Sequence, residues 1–242
     1  MQTVFFSDIG RIKYKKSWEL QEEIFFEVID TKIKNRDLKS EEQIPQKHYF
    51  LLCEHEPVIT LGKNANANNI LINDYLLKQQ NIERFEINRG GDVTFHGPGQ
   101  VVGYPILDLD LFFTDVGKYL RCLEEVIIRT LAVFGVKGER LPGVTGVWLD
   151  VNNPARVRKI CAIGIRCSRW VTMHGFAFNV NTDLNYFDFI IPCGINDKQV
   201  TSLEKEIGEK LEMQKVKERI LQNFAEVFEC NLQPIELKQY IL

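Results

Sequence analysis

Apolar residues recur along this chain in two rhythms, and the switches between them mark out its elements. In residues 18–33, Leu20, Ile24, Phe25, Val28 and Ile29 fall three or four apart, which predicts an amphipathic helix. Val116, Leu120, Leu123, Ile127, Leu131 and Phe134 repeat that spacing and keep one face apolar through about five turns. Asp115 stands at the N-cap position of that helix and Gly135 at its stop. Val216, Ile220, Phe224 and Val227 predict a last long helix, and residues 71–79 a short one. Denser apolar runs predict strands at 3–6, 48–53, 58–61, 82–87, 101–109, 144–149, 159–167 and 173–180. The strand at 101–109 is expected to pair with the one at 82–87. Strands come in adjacent runs with helices at the ends and middle. That order favours an α+β fold of mixed or antiparallel β-sheets flanked by helices, as one domain over residues 1–242.

Composition narrows the class. A chain of 242 residues with 45% hydrophobic content buries a substantial core. A net charge of −3 excludes a nucleic-acid-binding polycation, and 26% charged residues do not describe a disordered tail. Residues 34–46 are polar and charged, and read as an exposed connection. The N-terminus lacks the apolar run and cleavage site of a signal peptide, and no stretch has the ~20 apolar residues of a membrane span. Six scattered cysteines without a CxxC pair are expected to be reduced thiols of a cytoplasmic protein.

Two stretches carry candidate chemistry. Residues 89–100, RGGDVTFHGPGQ, place four glycines and a proline where a ligand can approach the main chain closely. A plain hairpin turn would read the same way, but Arg89, Thr94 and His96 set cationic and hydrogen-bonding groups around the opened backbone. The stretch has neither GxGxxG after a strand nor GxxxxGK[ST], so it is a binding loop outside the nucleotide patterns. The second stretch, residues 158–203, holds Lys159 at the start of an apolar strand and Cys193 in the loop IPCG. A buried filler is the usual fate of a cysteine. A loop position beside glycine suits a nucleophile, and a nearby cation suits a thiolate. Arg156, Arg158 and Arg166 surround Lys159 in sequence and would favour a neutral, proton-accepting amine there. His96 and His174 each adjoin a glycine and are candidates to line the site, whereas His48 reads as packing or surface. No histidine or cysteine pair has zinc-ligand spacing and no GxSxG elbow is present, so neither a metal nor a serine hydrolase is expected.

Several motifs together resemble the lipoyl(octanoyl) transferase family, the octanoyl-[acyl-carrier-protein]:protein N-octanoyltransferases, built on the biotin/lipoate protein ligase fold. They are LLCEHEPVITLGK, RGGDVTFHGPGQVVGYPI, PGVTGVWL, RKICAIGIR, MHGFAFNVNTDL and IPCGINDKQVTSL, in that order over residues 51–203. The resemblance implies an acyltransferase acting through a cysteine thioester, with Cys193 as nucleophile and Lys159 as the residue that lowers its pKa. It implies substrate contacts at Arg89, Gly90, Gly91, Asp92, Val93, Thr94, Phe95 and His96, at Ala162, Ile163 and Gly164, and at Gly175, Phe176 and Ala177. Phe176 and Ile163 would line a channel for the eight-carbon chain. The implied donor is octanoyl-acyl carrier protein. The implied acceptors are lipoyl domains of 2-oxoacid dehydrogenase E2 subunits and the glycine cleavage H protein; no cofactor, nucleic acid or membrane is implied. The donor protein of this family is acidic, which makes Arg156, Arg158, Arg166 and Arg169 docking candidates. The alternatives are an ATP-dependent lipoate or biotin protein ligase on the same fold, and a non-catalytic acyl-binding protein.

Overall fold

A run such as HYFLLC, apolar at every position but its first, belongs in a strand covered on both faces, and the computed structural model puts it there. The structure describes residues 1–191 and 199–237. The elements in chain order begin with β1 (Gln2–Ile12), α1 (Tyr14–Asn35), β2 (His48–His55), β3 (Val58–Leu61), α2 (Asp74–Gln79), β4 (Glu83–Glu86), β5 (Val93–His96) and β6 (Gln100–Ile106). Then come α3 (Val116–Val133), β7 (Val147–Leu149), β8 (Arg158–Ser168), β9 (Val171–Asn179), β10 (Gln199–Val200), α4 (Leu203–Ile207), α5 (Met213–Val227) and β11 (Cys230–Pro234). The large sheet runs β10-β8-β9-β6-β2-β1-β11, with β7 also on β8, and the small sheet runs β4-β3-β5. Both contain parallel and antiparallel pairs. The expected α+β class with mixed sheets is the observed one.

Tyr49, Leu51 and Cys53 of β2 face a core closed by Leu20, Ile24, Phe25 and Val28 of α1. Phe50 and Leu52, one residue out of phase, face a second core closed by Leu123, Ile127 and Leu131 of α3 and Ile220 and Phe224 of α5. Each fully buried side chain of this size contributes about 1.5–3 kcal/mol. The three long helices therefore lie on the faces their apolar spacing predicts. Asp115 caps α3 by accepting from Lys118 N at 2.9 Å, as the sequence suggests.

Several elements differ from the sequence reading. Residues 89–100 are not one loop: Val93–His96 form β5, antiparallel to β3. The strand after it pairs with β2 and β9 in the large sheet and not with the strand at 83–86. The turn at Gly99 (φ +77°) makes that transfer between sheets, and a Cβ there would stand 2.3 Å from Asn181 O. Residues 144–146 are a loop before β7, because Gly146 adopts φ +117°. Strand β1 runs on to Ile12 through an irregularity between Asp8 and Arg11. The short β10, α4 and β11 carry too few apolar repeats to announce themselves.

Close sheet packing depends on paired glycines. A Cβ on Gly175 would meet Gly103 O at 2.1 Å and Pro105 Cδ at 2.8 Å. These are backbone and ring atoms of a central strand, which have no rotamer to escape into. Gly175→Ala is expected to cost about 3 kcal/mol or more, the upper end of overpacking. For a chain of this size that lowers the thermal midpoint by about 6–12 °C. A melting curve within a degree or so of the parent would show that β6 and β9 can spread.

Candidate active site

A cavity of about 490 Å³ opens where the small sheet meets β8 and β9. Small residues make room for it. Ala162 stands opposite Ala177 and Gly164 opposite Gly175 in the β8–β9 register. A Cβ on Gly164 would press Gly90 O at 2.8 Å, and Gly90 N donates to Ile165 O at 2.8 Å. The glycine segment is thus laid directly on β8, which needs Gly at 164 for the approach.

Arg89 is buried, and its Nη2 donates to both Thr60 O and Thr60 Oγ1 at 3.0 Å. Asp92 works as a clasp: its Oδ1 accepts from Val93 N at 2.7 Å and Asn66 N at 3.1 Å, and its Oδ2 from Asn69 Nδ2 at 2.6 Å. Arg89, Gly90, Gly91, Asp92, Val93, Thr94 and His96 border the cavity. So do Ala162, Ile163 and Gly164 of β8 and Gly175, Phe176 and Ala177 of β9. Phe95 does not; it alternates to the other face of β5 and stacks on Tyr186, ring centroids 4.6 Å apart.

Lys159 stands in the cavity wall, 7% exposed, with its Nζ 4.6 Å from the centroid of the Trp148 ring. Trp148 of β7 and Val200 of β10 are both in register with it. Gly146, whose Cβ position lies 3.7 Å from Lys159 Cε, leaves space for the lysine stem. Cys193 lies outside the described residues. The described chain on either side of it is anchored to the two sides of the site: before it to Asn69, which holds Asp92, and after it to Lys159. Ile191 N donates to Asn69 O at 2.8 Å and Thr201 N to Lys159 O at 2.9 Å.

The cation cluster expected around Lys159 is not formed. Arg158 is bound by Glu206 at 2.5 and 2.7 Å and by Asp150 at 2.5 Å. Arg166 sits toward the far end of β8, with its guanidinium 4.8 Å from the Phe25 ring centroid and a 4.0 Å contact to Glu22. Arg156 pairs with Asp150 at 3.5 Å, and Arg169 occupies the β8–β9 turn with φ +53°. An 11-residue strand separates the two ends, so the four arginines make no single patch.

The histidines are neutral. Burial, helped by His55 and Arg89, pushes the His96 pKa down to about 3, and burial with Arg89 and Arg166 does the same for His174. Neither is a cation at neutral pH. His48 is fully buried and accepts from Asp108 N at 3.2 Å, so it packs. Sequence reasoning misses Tyr14, His55 and Tyr104. Tyr14 and Tyr104 border the cavity, and the Tyr104 hydroxyl donates to His55 Nε2 at 2.7 Å while His55 Nδ1 donates to Ile12 O at 2.9 Å. Only Tyr104, with a polar atom inside the apolar run VVGYPI, leaves a sequence signal; Tyr14 stands among lysines and His55 between glutamates.

Among the described residues no helix is long and apolar enough to cross a membrane, and no three His, Cys, Asp or Glu gather as a metal site. The lipoyl protein ligase A/B catalytic domain matches residues 13–225. The octanoyltransferase of Christiangramia forsetii is 57% identical over 93% of this chain and 95% of its own. That of Flavobacterium psychrophilum is 53% identical over 96% and 99%. An archaeal bipartite lipoate protein ligase from Thermoplasma acidophilum shares the fold, with a TM-score of 0.70 at 15% identity over 99% of this chain and 89% of that one. By sequence, the chain belongs to the octanoyltransferases of the lipoyl protein ligase A/B catalytic domain family.

Proposed function

We propose that this chain, as a single catalytic unit, carries an octanoyl group from octanoyl-acyl carrier protein through Cys193 to the ε-amine of a lysine on lipoyl domains. The observation that supports it most is Lys159. A buried amine held in the cavity wall, in register with Val200 where the described chain resumes after the Cys193 segment, has the chemistry of a proton partner.

In the first step the Cys193 thiol loses its proton to Lys159 and its sulfur attacks the donor thioester. The donor carbon–sulfur bond breaks, and the pantetheine thiolate leaves with the proton Lys159 returns. In the second step the neutral acceptor amine attacks the Cys193 thioester and gives its proton to Lys159. The Cys193 carbon–sulfur bond breaks, the amide forms and the thiol is regenerated. Backbone N–H groups of the glycine segment and of β8 stabilise the oxyanion at each step, and Ile163 and Phe176 flank the alkyl chain. Thioester and amide chemistry balance without ATP. The acceptors are lipoyl domains of 2-oxoacid dehydrogenase E2 subunits and the glycine cleavage H protein.

Intact-mass measurement after mixing the protein with octanoyl-acyl carrier protein, without ATP, tests the reading. An adduct of one octanoyl group is expected, and Cys193→Ala should not form it. An adenylate that needs ATP, or no adduct, would put the chain among the ligases or the non-catalytic acyl binders.

A further inference from the structure

Behind the cavity wall, a file of side chains bridges the two sheets with all its hydrogens pointing one way. Arg89 Nη2 donates to Thr60 Oγ1 at 3.0 Å, and the Thr60 hydroxyl donates to His96 Nε2 at 3.4 Å. His96 Nδ1 donates to Gln100 Oε1 at 2.8 Å. Gln100 Nε2 donates to Asn179 Oδ1 at 2.9 Å, and Asn179 Nδ2 to Thr201 O at 3.0 Å. The direction is forced. Gln100 Nε2 also donates to Phe95 O at 3.2 Å, and a carbonyl can only accept, as it does at Thr201. Both amides are therefore oriented, which fixes His96 as the Nδ1–H tautomer.

All of these side chains are buried. At one end the chain holds the guanidinium of the glycine segment. At the other it holds Thr201, whose N–H is bonded to Lys159 O. Gln100, Asn179 and Lys159 also border one recess of about 20 Å³. The two walls of the cavity belong to different sheets, and this file ties their relative position.

We propose that this relay sets the spacing between the Arg89 wall and Lys159 during octanoyl transfer, with Gln100 as a positioning residue at its centre. The inference rests on the transfer reaction proposed above. Reversing one link leaves two acceptors face to face without water, and a shift of about 1 Å in such a wall lowers turnover about 10²-fold.

Gln100→Glu and Gln100→Leu test it. A protonated glutamate has the shape of glutamine, accepts from His96 and donates to Asn179. Ionised, it cannot donate and the link opens. The polar groups facing position 100 are His96 and the Phe95 carbonyl on β5, Asn179 on β9 and, across the recess, Thr94 on β5 and Lys159 on β8. The expected result is a ratio of kcat, Gln100→Glu variant over parent, that falls about 10²-fold as pH rises, with the far-UV circular dichroism unchanged. Gln100→Leu is expected to be slow at every pH, with KM for the octanoyl donor little altered. Nitrogen NMR of the His96 ring, read without turnover, should show the Nδ1–H tautomer in the parent and its loss in Gln100→Leu. A ratio that is flat with pH while the parent is active overturns the positioning role and leaves the transfer reaction standing. So does a loss of fold that follows the same pH course as the loss of rate. A parent that transfers no octanoyl group overturns the reaction, and the positioning role with it.

Discussion

Lys159→Met is expected to slow octanoyl transfer about 10²–10⁴-fold, the span of a positioned general acid–base group, while the fold survives. Methionine keeps the apolar stem that fills the space beside Gly146 and lies over Trp148, and removes only the amine. The lost contact with the indole ring accounts for about 0.5–2 kcal/mol, well within the stability of a domain this size. Two further readings separate the roles of the amine. The pH midpoint for alkylation of Cys193 should rise in Lys159→Met, because a thiolate loses its proton partner. Lys159→Arg keeps a cation beside Cys193, so its alkylation midpoint should stay below that of Lys159→Met, while both transfer steps stay slow, because a guanidinium does not accept a proton near neutral pH. An unchanged alkylation midpoint in Lys159→Met would remove Lys159 from the dyad.

Acid should unfold this protein steeply, and the cause lies in its histidines. The chain has four, and all are buried. Burial holds His48 and His55 down to about 4, and His96 and His174 down to about 3. In the unfolded chain each takes up a proton near 6.5. Between about pH 6.5 and 4 the unfolded state therefore binds up to four more protons than the folded one, so stability rises with pH and is lost as pH falls. Each histidine contributes about 1.4 kcal/mol per pH unit within that window. Together they cost about 5–6 kcal/mol for each unit of acidification, as much as the whole stability of many domains. Urea unfolding at a series of pH values should show this slope. His48→Gln, distant from the cavity chemistry, should reduce it by about one proton. Stability that stays level from about pH 6.5 to 5 would mean that the folded protein protonates its histidines without strain.

Helix faces are legible because burial writes them in plain spacing. The stripes of α1, α3 and α5 are the residues found against the large sheet, except that Val116 and Leu120 of α3 are half-buried and Leu120 borders the cavity. The motifs bordering the cavity are legible for a related reason: glycine runs and a lysine in an apolar strand break the local pattern of a core. Spacing along the chain does not say which strand pairs with which. Val93–His96 reads as part of a loop, yet its burial comes from β3 and from Tyr186 and Phe187, about ninety residues away in sequence. Tyr14 stands among lysines and Tyr104 in an apolar run, and only the fold brings the two to one cavity, with His55 bonded to Tyr104 behind it. The arginines near Lys159 are close in sequence and dispersed in space, because an extended strand carries neighbours apart and acidic residues from α4 and the β7–β8 turn claim Arg158.

The α+β class, the three amphipathic helices, the glycine segment and Lys159 as an unusual occupant of an apolar strand can all be read along the chain. These depend on local propensity and on the energy of burying one face, which neighbours a few residues apart decide. That Arg89 and Lys159 border one cavity, that the arginines are apart, and that His96 is neutral with a fixed tautomer emerge only once the sheets are packed. Those facts depend on which buried polar atoms meet across two sheets, and the cost of leaving such atoms unpaired is settled by the fold as a whole.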